Sequence, residues 1–191
     1  MTEFIVALMI GIPGSGKTTF CRERLFPHHL YISLDQLRTR SAEAELFAFA
    51  LRRRKNCVID NTNINVLERS RYIPAAKREG ARVVGFFFES DLEACVARNA
   101  KRLGKARVPE HVIRQKLSRF ERPSPDEGFD ALYRVKVTEK GFDVEVLDEK
   151  EQSGGRMNFF IDRNIPIFTS PDADTWWSTF QTSGASQEKS A

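Results

Sequence analysis

One run of residues has a spacing that is chemically specific. Gly11-Ile12-Pro13-Gly14-Ser15-Gly16-Lys17-Thr18 fits the phosphate-binding pattern G-x-x-x-x-G-K-[ST] at every fixed position. Glycines 11, 14 and 16 leave no Cβ in the way, so the loop can turn its backbone N–H groups inward onto phosphate oxygens. Lys17 is expected to reach the β- and γ-phosphates, and the Thr18 hydroxyl to ligate Mg²⁺. Pro13, Ser15 and Thr19 complete the expected nucleotide contacts, and a helix opening at Thr18 adds its positive end. The chain therefore reads as a binder of a nucleoside triphosphate.

Two polar stretches follow short apolar runs. Asp35 and Arg38 lie in Ser33-Leu34-Asp35-Gln36-Leu37-Arg38, after Leu30-Tyr31-Ile32. A carboxylate near a γ-phosphate can accept the proton of an attacking hydroxyl without a perturbed pKa, because orienting the nucleophile is the main demand of phosphoryl transfer. Three residues on, Arg38 is expected to share a helical face with Asp35 and offer a planar fork to an acceptor phosphate. Asp60-Asn61-Thr62-Asn63 follows Cys57-Val58-Ile59. Asp60 could hold Mg²⁺ through water, and Asn61 and Thr62 offer polar groups to phosphate or acceptor. Asp35 and Asp60 compete for the metal-linked role.

The densest basic stretch comprises Arg98, Lys101, Arg102, Lys105, Arg107, Arg114, Lys116, Arg119 and Arg122, opposed by Glu110 and Glu121. Arg98 and Arg102 have the i, i+4 spacing that stacks side chains on a helix. A basic helix–loop–helix over a nucleotide suits a lid that brings cations to a transferring phosphoryl group. The same charge could track a nucleic-acid backbone.

These groups need positioning elements. Phe4 to Ile10 is continuously apolar, as a strand buried on both faces of a parallel sheet requires. Further strands are predicted at 30–32, 57–59 and 82–88. Helices are predicted over Thr18–Leu25, from a Ser41 cap through Leu51, over Val66–Glu79 with Gly80 as its stop, from Asp91 through Leu103, and from Pro109 through Phe120. Tyr133–Val137 and Phe142–Leu147 read as a strand pair. Alternating strands and helices imply an α/β fold, a mostly parallel sheet with helices on both faces. In such sheets ligands bind at the carboxyl ends of the strands, which gathers the glycine loop, the Asp35 stretch and the Asp60 stretch at one rim.

At 191 residues with a net charge of +4, the chain is long enough to bury a core as one domain. No apolar run reaches the ~20 residues of a membrane span, and the N-terminus lacks the basic region of a signal peptide. Cys21, Cys57 and Cys95 have no metal-ligand spacing and read as buried thiols of a reducing compartment, the cytoplasm. Surface roles are expected for His28, His29 and His111. Beyond residue 148 the pattern fades: Gly154-Gly155 reads as a joint, 157–168 as apolar enough to pack, Trp176-Trp177 as packing the extension onto the domain with base stacking as the alternative, and 182–191 as disordered.

Taken in order, these motifs resemble the polynucleotide kinase family, P-loop kinases that phosphorylate 5′-hydroxyl ends of DNA or RNA. The resemblance runs from residue 4 to about 137. It rests on the glycine loop, 33–38, 58–63, Arg98-Asn99-Ala100-Lys101-Arg102 with Val108-Pro109-Glu110, and Phe120-Glu121-Arg122-Pro123 with Glu127-Gly128-Phe129-Asp130. It implies a P-loop kinase three-layer sandwich over 1–148, a helical lid at about 98–122, and an extension at 149–191. It also implies ATP and Mg²⁺ at Lys17 and Thr18, Asp35 as general base, Arg38 on the acceptor's phosphate, and Arg102 as the lid arginine beside Arg98. Asn61 or Thr62 would line the acceptor site. Asp172-Ala173-Asp174 lacks a preceding apolar strand, so no phosphatase motif is expected. A hydroxymethylated base within DNA, such as 5-hydroxymethyluracil, and small-molecule alcohols remain alternative acceptors. A non-catalytic ATP-dependent binding module is the alternative from another class.

Overall fold

Apolar runs too short for helices and rich in valine, isoleucine and phenylalanine become the strands of one sheet. The computed structural model describes residues 3–147, with 27 and 90 excepted. Its strands are β1 (Ile5–Ile10), β2 (Leu30–Ile32), β3 (Cys57–Ile59), β4 (Arg82–Phe88), β5 (Ala131–Thr138) and β6 (Gly141–Val146). They lie in the order β2-β3-β1-β4-β5-β6. The first five are mutually parallel, and β6 returns antiparallel to β5.

β1 is buried at every position. Val6, Leu8 and Ile10 enter the core on one face, and Ile5, Ala7 and Met9 the core on the other. The two-residue period of a strand thus explains why the run is apolar throughout. The helices are α1 (Lys17–Phe20), α2 (Leu34–Leu37), α3 (Arg40–Arg52), α4 (Val66–Arg69), α5 (Ile73–Arg78), α6 (Leu92–Ala100) and α7 (Glu110–Ser118). A π-helical turn, Cys21–Leu25, prolongs α1. Phe47, Ala50 and Leu51 of α3 and Ile73 and Ala76 of α5 cover the first face. Phe20, Cys21 and Leu25 cover the second. A third cluster, Ile12, Ile64, Cys95 and Ile113, binds α6 and α7 to the glycine loop. The three cysteines are buried and free, and no helix among the described residues is long and apolar enough to cross a membrane.

Several element boundaries differ from the sequence reading. The helix expected over 66–79 is two helices, capped at Asn65 and restarting at Ile73. Pro74 sits in the second first turn, where it lacks the N–H that would bond Ser70 and its ring would clash with that carbonyl. The cap of α3 is Thr39, which accepts from Ala42 N at 3.2 Å, while Ser41 bonds Glu45 instead. α6 stops at Ala100, so Leu103 lies outside it and is exposed. The Asn99 amide causes the stop, donating to Val108 O at 2.7 Å and accepting from Val108 N at 3.0 Å. Pro109 is the cap of α7, and Phe120 packs beyond its end. His29 is half-buried rather than superficial: Nδ1–H donates to Leu25 O at 3.2 Å, and burial pushes its pKa down to about 4. The readings at 154–155, 157–168, 172–174, 176–177 and 182–191 lie outside the described residues.

Candidate active site

The glycine loop leaves the carboxyl end of β1 and turns into α1. Gly14 has φ +85° and Gly16, the cap of α1, φ +101°, a region open to glycine and strained for other residues. Space imposes the same choice, since a Cβ on Gly14 would lie 2.3 Å from the Cys95 carbonyl oxygen of α6. Gly11 N donates to Thr62 O at 2.9 Å, which ties the loop to the segment after β3.

Lys17 is buried inside this loop. Its Nζ donates to Gly11 O and Ile12 O, each at 2.8 Å, and to Ser15 Oγ at 3.2 Å. Burial brings its pKa down to about 8; the Asp60 carboxylate opposes that fall and the Arg102 guanidinium adds to it. Arg102 is thus close enough for its charge to be felt at Lys17. Among the described residues neither cation forms an ion pair. Two neighbouring cations, one desolvated and neither paired with a carboxylate, fit a bound polyphosphate.

Asp60 directly follows β3 and is buried. Its Oδ2 accepts from the Thr18 hydroxyl at 2.7 Å and from the Tyr31 hydroxyl at 2.6 Å. Burial, and then the Asp60 charge, push the Tyr31 phenol above its ordinary pKa. Thr18 and Asp60 form a pair of hard oxygen donors. Among the described residues no cluster of three or more His, Cys, Asp or Glu side chains could enclose a metal alone. Such a pair fits Mg²⁺, which takes one or two protein oxygens and completes its octahedron with phosphate and water.

The other expected residues divide. Asp35 is exposed on α2. Arg38 is not helical: α2 ends at Leu37, and Arg38 takes a left-handed conformation with φ 65°. The shared helical face expected of the two is therefore not formed. Asn61 has its amide committed within the protein, accepting from Leu34 N at 3.0 Å and donating to Tyr72 Oη at 3.1 Å and to the Glu43 carboxylate. Thr62 Oγ1 accepts from Lys116 Nζ of α7 at 3.2 Å. Arg98 lies within α6, and Arg102 two residues past its end. Arg98 Nε donates to Gly14 O at 2.7 Å and so holds the loop itself. Thr19 is exposed on α1.

Sequence reasoning missed Tyr31, Glu43 and Tyr72 as parts of this rim, while Lys116 belongs to the basic stretch it singled out. Only Glu43 left a signal: it falls one helical turn before Phe47 and two before Ala50, on the buried stripe of α3.

The AAA domain family AAA_33 matches residues 6–123, from β1 through the segment after α7. The chain belongs to this family. A bifunctional polynucleotide phosphatase/kinase of Schizosaccharomyces pombe is 27% identical over 134 residues, 68% of this chain and 33% of its own. The chain thus spans about a third of the length of that curated relative. Among solved structures, Chaetomium thermophilum Kti12 in complex with ADP-AlF3 superposes with a TM-score of 0.55 at 20% identity, over 71% of this chain and 92% of its own. A fungal RNA kinase superposes with a TM-score of 0.55 at 21% identity, over 71% of this chain and 39% of its own. The fold is that of these P-loop proteins: a mostly parallel sheet flanked by helices, with the glycine loop at its carboxyl rim.

Proposed function

We propose that the chain is an ATP- and Mg²⁺-dependent phosphotransferase that moves the γ-phosphoryl group to an alcohol, the 5′-hydroxyl end of a DNA or RNA strand. One observation carries the reading. The Thr18–Asp60 hydrogen bond, 2.7 Å, and the Leu34–Asn61 hydrogen bond, 3.0 Å, join the phosphate loop and the start of the Asp35 helix to adjacent residues of a single strand end. A base and a phosphate cradle linked this closely suit an in-line attack on a γ-phosphorus.

In the proposed reaction the acceptor oxygen attacks phosphorus, its proton passes to the Asp35 carboxylate, and the bond to the leaving ADP oxygen breaks. Lys17 and the loop N–H groups hold the β- and γ-phosphates, and Arg102 meets the charge that spreads over the transferring group. Thr18, with Asp60 behind it, would hold Mg²⁺, which would supply neutralisation of the phosphate charge. Arg38 contacts the acceptor's own phosphate. The nucleic-acid acceptor is supported by the name of the S. pombe relative and by the basic residues of the lid. Asn61 acts here as a brace rather than as an acceptor contact, and Thr62 with Lys116 lines the acceptor side.

The test is phosphoryl transfer from radiolabelled ATP to three acceptors: a single strand with a free 5′-hydroxyl, a 5′-blocked strand with an internal hydroxymethylated base, and a small polyol. The expected outcome is label on the first alone, abolished by Asp35→Asn with ATP affinity retained. Label on the internal base or the polyol alone would reassign the acceptor. Tight ATP binding with no transfer to anything would make the chain a nucleotide-dependent binding module.

A further inference from the structure

α2 carries Asp35 and is only four residues long. A single helical turn does not hold itself, because nucleation is unfavourable. Nor does its own cap hold it, since the Ser33 side chain makes no bond to it. The first N–H of the helix, that of Leu34, donates instead to Asn61 Oδ1 at 3.0 Å, across 27 residues of sequence.

That oxygen is aimed by what lies behind it. Asn61 Nδ2 donates to the Glu43 carboxylate and to Tyr72 Oη. An amide whose NH₂ group faces two acceptors gains nothing by flipping, so its oxygen stays turned toward Leu34. Glu43 is itself fixed. It is 3% exposed, its second oxygen accepts from Arg40 Nη1 at 2.7 Å, and that same nitrogen reaches Tyr72 Oη at 3.2 Å. Tyr72 is pinned in turn, edge-on to Phe47 with ring centroids 5.4 Å apart. The relay runs from the first turn of α3 through one strand end to the first turn of α2. It stops one residue short of Asp35, and its middle member is the neighbour of Asp60.

We propose that Glu43 is a positioning residue that, through Asn61, sets the height and rotation of α2 and thereby aims the Asp35 carboxylate at the phosphate loop. The catalytic consequence rests on Asp35 being the base of the reaction proposed above; the mechanical link does not. Glu43 touches neither substrate nor reacting atoms, so its loss acts on turnover rather than on nucleotide binding.

The experiment takes Glu43→Ala, Asn61→Ala, their double variant and Glu43→Gln in the full chain, with two readouts. The first is steady-state transfer. Glu43→Ala is expected to lower kcat by about 10²-fold, the scale of a catalytic group misplaced by about 1 Å, with the KM for ATP within about twofold of the parent. Asn61→Ala is expected to match it, and the double variant to be no worse than either, as for two members of one relay. Glu43→Gln, whose oxygen can still accept from Asn61, is expected to recover most of the loss. The second readout is amide hydrogen exchange. Leu34 to Arg38 should exchange at least about tenfold faster in Glu43→Ala while the amides of β1 and β3 keep their protection.

Parent-like kcat in Glu43→Ala, losses that multiply in the double variant, or unchanged exchange over α2 would each overturn the proposal. Should Glu43→Ala fail to fold, Asn61→Ala against Glu43→Gln supplies the same cycle. If the parent chain transfers phosphate to no acceptor, the kinase reading falls while the exchange data still decide the link.

Discussion

Arg98 and Arg102 stand four apart in the sequence, with the end of α6 between them, and the proposed reaction gives them different tasks. Arg98 is half-buried with Nε on the Gly14 carbonyl at 2.7 Å. Arg102 lies past the end of α6 with its charge felt at Lys17. Truncating Arg98 orphans a loop carbonyl, a loss of about 1–3 kcal/mol. That loss falls on the shape of the phosphate cradle before any transfer begins. Arg98→Ala is therefore expected to raise the Kd for ATP roughly tenfold and to lower kcat at saturating ATP only modestly. Arg102→Ala is expected to do the reverse, lowering kcat by about 10³-fold, as for an arginine supplied to a phosphoryl transition state, with little change in Kd. Calorimetric ATP titrations beside steady-state rates separate the two. Equal effects of both variants on Kd would remove the distinction between loop brace and transfer residue.

Among the elements, α4 matters less for its length than for one side chain. Arg69 is wholly buried. It forms a bidentate pair with Glu127 at 2.6 and 2.8 Å and donates to the Asn63 and Glu121 carbonyls at 3.0 Å each. It therefore pins the strand end that holds Asp60 to the segment that returns from α7. Removing one member of a buried pair is worth about 3–5 kcal/mol, so Arg69→Met should lower Tm by roughly 10 °C or more. The double variant Arg69→Met/Glu127→Met should recover part of that in calorimetric scans, since no lone buried charge then remains. The contrast between this hub and the strands marks what the sequence could reveal. β1, β3 and β4 were legible because burial on both faces forces unbroken apolar runs, and the rim position of Asp35 and Asp60 followed from parallel topology. Arg69, Tyr31 and the Glu43–Asn61 relay were not, because local pattern does not disclose a partner tens of residues away. The split of α4 from α5 had a local cause, Pro74, whose effect on the preceding carbonyl outweighed the continuous apolar spacing around it. Arg38 was misread for a similar reason: spacing places a side chain on a helical face only where the helix continues, and α2 ends one residue earlier.

Across the whole molecule, the net charge of +4 matters through where it goes unneutralised. Arg114 is paired with Glu110 at 2.7 Å and with Glu93 at 3.6 Å, and Arg122 lies over the Phe87 ring. Lys101, Arg102, Arg107 and Arg119 have no ion pair among the described residues, and in sequence they flank α6 and α7, the helices packed on the glycine loop. A small alcohol would gain little from such a row. A nucleic-acid end brings several phosphates along with its hydroxyl, and each contact releases a condensed counterion. The acceptor's chemistry should therefore be readable from salt alone. For a strand that contacts three phosphates, log of the apparent affinity for a 5′-hydroxyl oligonucleotide should fall against log of salt concentration with a slope of about −2. Replacing Arg107 and Arg119 by glutamine should flatten that slope by about 1.4 units, if each meets one phosphate, while leaving kcat near the parent value. The KM for ATP, whose phosphates the proposed reaction places against the buried loop and Lys17, should move far less over the same range. A flat salt profile for the oligonucleotide beside normal turnover would mean that the basic face does not track the strand, and that the transferred group goes to an acceptor without a phosphate backbone.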